Sequence, residues 1–371
     1  MTTVVGNSEP LRIAVIGCGQ IADAHLQEIG KISRARVVAV CDHEPDLTYQ
    51  AAARFGIDKQ FNDVDRMLSE IHPDVVHVTT PPHTHFPLAS KCLESGAHVY
   101  VEKPFALDGR QTRALLELAN SRGLIACAGH DHLFDPVWKE ARRLVASGEL
   151  GDIVHVDSTQ GYDATGPFGR LIQTDKRHWI HQLPGGIFHN VISHAVCKVT
   201  PFLLDVRPEV MAMSFGTSDV APLPTELRVL VRGESVSAYI ALLSQARPVR
   251  RAVRLYGTAG TIEIDFESSL IRRIAGPALP GAFGRIEAPV RQTLEAMRNS
   301  GGAMKRFARS EMQYFAGMRA LFQSLYDTIR SKGAPPIPYG EIQRVADIMD
   351  AVFEQTSPDS RRFANARTTA R

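Results

Sequence analysis

From residue 11 onward, short apolar runs alternate with longer stretches in which apolar positions recur every three or four residues. "RIAVIG", "RVVAVCD", "DVVHVTT", "AHVYVEK" and "LIACAGH" read as strands. "IADAHLQEIGKI", "EPDLTYQAAARFG", "FPLASKCLESG" and "GRQTRALLELANSRG" read as helices, most of them closing near a glycine. Near-continuous apolar strands joined by helical crossovers predict a parallel sheet covered on both faces, a doubly wound α/β domain over 11–130. After the helix "PVWKEARRLVASGEL" the period changes to two in "DIVHVDSTQGY", "EVMAMSFG", "ELRVLVRG", "SVSAYIALLS" and "AVRLYGTAGTIEIDF". That alternation predicts an antiparallel sheet with one open face, within an α+β domain over 131–360. Helices return in "EMQYFAGMRALFQSLYDTIRSKG" and "GEIQRVADIMDAVFEQ", and they are expected to pack back on the first domain. Residues 1–10 and 361–371 are expected as flexible ends.

Composition adds mainly exclusions. A chain of 371 residues with 44% hydrophobic and 22% charged residues and a net charge of +2 reads as two ordinary globular domains, with no call for nucleic acid. No apolar run is long enough to span a bilayer, and "MTTVVGNSEP" lacks the basic start and apolar core of a signal peptide, so the cytoplasm is expected. The five cysteines are scattered without a CxxC pair, which points away from a disulfide framework and a zinc site; no metal is expected. One segment departs from this picture. "RIEAPVRQTLEAMRNSGGAMKRFAR" (285–309) holds six basic and two acidic residues. A basic amphipathic stretch of this kind can touch an anionic membrane, although a solvated face or a subunit contact is the more common outcome. Arg250, Arg251 and Arg254 add basic positions on a hairpin.

The candidate chemistry begins at "GCGQIA", between the first strand and the first helix. Gly17 allows a tight turn, Gly19 allows a pyrophosphate to approach the backbone, and Ala22 keeps the helix close to the sheet; Gln20 and Ile21 complete the loop. Asp42 closes the second strand, 20 residues after Ala22, where a carboxylate accepts the ribose hydroxyls of NAD and repels the 2′-phosphate of NADP. The cofactor expected is therefore NAD rather than NADP. The alternative is a glycine turn and an exposed aspartate without a ligand.

"TPPHTH" (80–85) and "EKP" (102–104) end two further strands. Together with "GCGQIA", Asp42 and "GTAGTIEID" (257–265), they make the chain resemble the Gfo/Idh/MocA family of NAD(P)-dependent oxidoreductases, from about residue 11 to 266 and again in "PPIPYGEIQRVADIMDAVFE". The resemblance implies a Rossmann domain followed by an open-faced sheet, assembly as a homodimer or homotetramer through that sheet, and hydride transfer at a carbinol of a sugar or polyol. An acidic or nucleotide-linked sugar falls within that class. Strand ends of such folds hold the ligand, which puts Thr80, Pro81, His85, Glu102 and Lys103 on the cofactor side. A lysine at 103 can present a cation to the substrate hydroxyl and the nicotinamide ribose. Its alternative is a surface lysine paired with Glu102. Pro104 is expected to fix a rigid, even cis, turn.

In "GGIFHNVISH" (185–194) the resemblance places two glycines and a histidine, with Asn190 at the position of the family's aspartate. His194 is then a candidate acid or base, and Asn190 a residue that orients it or binds a hydroxyl without supplying charge. Arg177 and Trp179 just upstream, and Tyr162 at a strand end, complete the candidate substrate side: an anion holder, a stacking surface and a reserve proton donor. Leu133 stands where related sequences often carry an arginine, which leaves Asp131 and His132 as the polar residues of that loop. Two other readings stay open. One is a redox-assisted epimerase or glycosidase with tightly bound NAD, and the other a non-catalytic NAD or sugar sensor.

Overall fold

The computed structural model describes residues 9–163, 166–205, 207–217, 224–274, 276, 279–308 and 315–356. The chain divides into two compact units, residues 1–134 with 317–347, and residues 135–316 with 348–371.

The first unit is built on six strands: β1 (Leu11–Ile16), β2 (Ala35–Cys41), β3 (Gln60–Phe61), β4 (Val75–Val78), β5 (His98–Val101) and β6 (Ala126–Ala128). They pair in the order β3-β2-β1-β4-β5-β6, every described pair parallel. The crossover helices are α1 (Gln20–Ile29), α2 (Pro45–Phe55), α3 (Val64–Ile71), α4 (His85–Glu94) and α5 (Gly109–Ser121). Strand order reverses between β1 and β4, so their carboxyl ends face the crevice in which such sheets bind ligands. The strands are mostly apolar because both faces are covered: Ile13, Ala14, Val15, Val75, Val76, Val99 and Val101 have no exposed surface. Strand β3 and helix α3 were not among the expected elements. β3 is a two-residue edge strand, too short for a period. The helix is announced by its cap instead, since Asp63 accepts the Arg66 N–H at 2.7 Å.

The second unit opens on α6 (Pro136–Ala146), followed by β7 (Ile153–Gly161), α7 (Pro167–Thr174), α8 (Gly186–Val191) and α9 (Ser193–Val196). Six further strands follow: β8 (Glu209–Thr217), β9 (Pro224–Arg232), β10 (Ser237–Leu243), β11 (Arg251–Gly257), β12 (Thr261–Asp265) and β13 (Leu270–Ile274). With β7 they form one sheet in the order β13-β12-β11-β7-β10-β9-β8. It is antiparallel as expected, except that β10 pairs with β7 in parallel. The connection between them, through α7–α9 and the β8–β9 hairpin, is long enough to bring the chain round in the same direction. Register explains the open face. The paired row Met211, Leu230, Tyr239, Asp157, Arg254, Glu263, Arg272 runs across all seven strands on one side. The neighbouring row, with Val229, Ile240, Ser158, Val253 and Ile264, is buried on the other. Helices α10 (Gly281–Ala308), α11 (Ala316–Ser331) and α12 (Tyr339–Thr356) complete the described chain. Among the described residues, no helix is long and apolar enough to cross a membrane.

Candidate active site

In the first unit the candidate residues converge on the carboxyl ends of β1, β2, β4 and β5. Gly17 has a φ of +94°, and a Cβ there would meet Thr80 Cγ2 at 2.8 Å and Thr80 N at 2.9 Å. Both the turn and the close approach of the β4 loop thus require glycine. Thr79, which the sequence reading passed over, ties this turn down: its hydroxyl donates to Gly17 O at 2.7 Å or Ile16 O at 3.1 Å. At Gly19, the N-cap of α1, a Cβ would meet nothing within 4 Å, and no side chain caps the helix. Gln20 is exposed beside it, Ile21 half-buried, and Ala22 fully buried against the sheet. An uncapped helix start behind an open, side-chain-free approach fits a pyrophosphate.

Asp42 is 8% exposed, and its two oxygens are held from the chain: Oδ2 accepts the Cys18 N–H at 2.7 Å and Oδ1 the Glu44 N–H at 3.0 Å. A carboxylate offers about four acceptor sites, so two backbone bonds leave capacity for ribose hydroxyls while fixing the group's direction. Cys18 and Cys41 flank it as buried thiols, each pushed up to about 12 by burial and by the charge of Asp42. All five cysteines are buried, and none forms a disulfide.

Thr80 and Pro81 are half-buried at the end of β4, with Thr84 donating to the Thr80 hydroxyl at 2.7 Å. His85 does not line an open surface. It has no exposure, and its Nδ1 and Nε2 lie 2.8 Å from Pro104 O and Thr80 O. It braces the β4 loop to the β5 loop, and burial holds its proton affinity down against the pull of the two carbonyls. The Lys103–Pro104 peptide is cis, as expected for that turn.

Beneath Lys103 lies a buried polar chain that no local pattern of residues announces. Tyr326 OH is 2.8 Å from His77 Nε2, His77 Nδ1 is 2.9 Å from His25 Nδ1, and His25 Nε2 is 3.0 Å from Glu102 Oε1. Glu102 Oε2 in turn accepts the Lys103 N–H at 3.1 Å. Burial, with His25 alongside, keeps His77 neutral. Burial would raise the Glu102 carboxyl, but the His25 hydrogen bond and the Lys103 charge outweigh it and hold the group below its ordinary range. With Glu102 ionised, His25 Nε2 donates to it, and the neutral His77 links His25 through Nδ1 to Tyr326 through Nε2. Lys103 is half-buried; burial lowers its proton affinity, while Glu102 and Asp131 act to raise it.

In the second unit the paired glycines have separate reasons. Gly186 has a φ of +53°, and a Cβ on Gly185 would meet the Phe353 ring at 2.0 Å. The run stays right-handed helical through Ile192 (φ −64°, ψ −32°), with a tighter turn where Ala195 N–H donates to Ile192 O at 2.9 Å. The spacing of four therefore sets Asn190 and His194 on consecutive turns. Asn190 is 7% exposed and His194 half-buried. His189, between the glycines and Asn190, was not singled out by the sequence. It is 1% exposed, stacks on Phe353 at 4.8 Å with planes 12° apart, and neither ring nitrogen has a hydrogen-bond partner among the described residues. Burial pushes it down to about 4. The Tyr162 hydroxyl is likewise buried without such a partner, and burial, then Asp163, raises it to about 12. Trp179 is half-buried and tilted against His178 at 5.1 Å. The Arg177 side chain is 97% exposed at 3.8 Å from Asp175, a surface position and not an enclosed anion holder.

Comparison with known proteins agrees with this geometry. Residues 11–130 match the family model described as "Oxidoreductase family, NAD-binding Rossmann fold", and residues 138–263 match the "GFO/IDH/MocA C-terminal domain". D-glucoside 3-dehydrogenase of Escherichia coli is 32% identical over 180 residues, 48% of this chain and 50% of that protein. The scyllo-inositol 2-dehydrogenase (NAD(+)) of Bacillus subtilis is 30% identical over 146 residues, 39% of this chain and 43% of that one. The matches thus span about half the length of these curated relatives. In fold, the chain is similar to the WlbA dehydrogenase of Bordetella pertussis, solved with NADH and UDP-GlcNAcA. That likeness has a TM-score of 0.76 and 18% identity over 96% of each chain.

Proposed function

Because the chain belongs to the Gfo/Idh/MocA family, we propose that it is an NAD-dependent dehydrogenase acting on a carbinol of a sugar, polyol or sugar derivative, nucleotide-linked sugars included. The observation that carries this reading is the β5 loop. Lys103 is held by its own N–H on Glu102, at the same sheet edge as the dinucleotide turn and Asp42. Bound NAD supplies the hydride acceptor, and the chain's residues handle the rest. Gly17, Gly19, Gln20, Ile21 and Ala22 form the pyrophosphate turn, Asp42 takes the ribose hydroxyls, and Thr80 and Pro81 border the nicotinamide side. Lys103 holds positive charge toward the substrate hydroxyl oxygen, lowering the cost of its alkoxide character as the C–H bond gives up its electron pair. His194 accepts the hydroxyl proton, and Asn190 orients that imidazole or binds a neighbouring hydroxyl. Tyr162 and Trp179 complete the substrate side.

Names of the relatives support the class of substrate: a glucoside and an inositol dehydrogenase by sequence, and a UDP-sugar complex by fold. The test is NADH formation from NAD and a panel of pyranosides, inositols and UDP-sugars. At least one class should be oxidised by the wild type and about 10²–10³-fold more slowly by the Lys103→Ala enzyme. Oxidation at equal rates by both would remove Lys103 from the mechanism.

A further inference from the structure

Helix α10 wears its polarity outward-in. The side that meets β13 and its flank is polar: Glu295 Oε1 accepts the Arg273 N–H at 3.1 Å, Asn299 donates to Ile271 O at 2.7 Å, and Arg291 donates to Gly276 O at 3.2 Å. The apolar residues point elsewhere. Phe283, Ile286, Val290, Leu294, Met297, Met304 and Phe307 are between 54% and 76% exposed. Their steps of three, four and seven draw one stripe about 36 Å long at 1.5 Å per residue. Monomeric proteins seldom expose a contiguous apolar strip beyond a few hundred Å². Seven large side chains, each more than half exposed, offer on the order of 800 Å², the share one partner brings to a standard interface. The helix also lies outside both stretches that match the family, 11–130 and 138–263.

We infer that this stripe is a contact between two copies of the chain, separate from the open face of the sheet. Spacing in steps of three and four, with one of seven, is what a helix needs to pack along another helix, and a stripe free of charge along its line is self-complementary. A bilayer fits less well, because two of the helix's arginines are turned toward the protein. Arg291 is engaged by Glu287 and Gly276 O, and Arg298 lines a cavity with Glu140 and Glu295.

Sedimentation velocity of the full chain, wild type against Leu294→Glu/Met297→Glu, tests this, with Met211→Glu on the open sheet face as the comparison. The two glutamates should halve the assembly mass and raise the dissociation constant of that step about a hundredfold or more, since like charges would meet at the centre of the contact. Far-ultraviolet circular dichroism should be unchanged, and Met211→Glu should leave the step intact. Phe283→Glu/Met304→Glu should reproduce the effect from the ends of the stripe, which keeps the test independent of any one substitution's effect on folding. An assembly mass unchanged by both pairs would overturn the proposal. So would a wild type that is monomeric at tens of micromolar, whether or not it floats with phosphatidylcholine–phosphatidylglycerol vesicles.

Discussion

The dinucleotide end of the first unit and the helical run 185–197 of the second solve opposite problems. At the first, four candidate or neighbouring groups are held by the chain itself: Asp42 by two backbone amides, Thr79 on the glycine turn, His85 between two loops, and Glu102 between His25 and the Lys103 amide. In the second, His189, Ser193 and Tyr162 bury polar atoms with no partner among the described residues. On the function proposed here, the first set forms a fixed cradle for the cofactor, with bonds that are internal. The contrast has an energetic side as well. Removing a cradle group strands its buried partners, whereas removing a nitrogen of His189 loses no bond.

Substitutions can break or sharpen that contrast. The largest effect is expected for Lys103→Ala, which should lower kcat about 10²–10³-fold, the scale of one transition-state charge contact, while NADH affinity measured by fluorescence stays near wild type. Asp42→Ala should weaken NADH binding about 10–100-fold, reduce discrimination against NADPH, and lower Tm, because the Cys18 and Glu44 amides lose their acceptor. Unchanged relative affinities for the two nucleotides would show that Asp42 makes no ribose contact. Glu102→Gln should move the alkaline limb of kcat/KM to lower pH. Burial already lowers Lys103, and the substitution removes a charge that opposes this, so the cation is lost sooner as pH rises. Asn190→Asp should move the acid limb to higher pH by stabilising protonated His194. A limb that stays in place would mean that the two side chains do not interact.

The smallest effect at neutral pH is expected for His189→Phe, with Tm at pH 7 within a degree or two. Its signature lies in acid. A histidine held down to about 4 in the fold and near 6.5 when unfolded contributes fully above pH 6.5 and loses that contribution as pH falls toward 4, up to about 3 kcal/mol. The variant's unfolding free energy should therefore fall less steeply with acid than the wild type's over that interval. Parallel curves would mean that His189 is not buried neutral.

Which of these features the sequence announces follows from how local each one is. The parallel sheet, Gly17 and the cis turn at Pro104 were legible because period, glycine position and an X-Pro step are properties of neighbouring residues. The relay Tyr326–His77–His25–Glu102 joins four segments, with Tyr326 and His77 separated by 249 positions in sequence, and nothing near any one of them marks it. His85 stands beside a recognisable motif, yet only the fold shows that it is buried and braces two loops. The Gly185 requirement is equally remote, since it is the ring of Phe353 that excludes a side chain there. The parallel β7–β10 pair was missed because alternation along a strand is blind to the direction of its neighbour. The stripe on α10 was visible as an amphipathic period, but which face turned outward was not.

The measurement that goes most directly to the account is a paired titration of the purified protein with NADH and NADPH. A preference for NADH of tenfold or more, about 1.4 kcal/mol, is the predicted result and would agree with a cradle in which Asp42 is aimed at the ribose. Equal affinity for the two, or no binding of either with none released on denaturation, would contradict it.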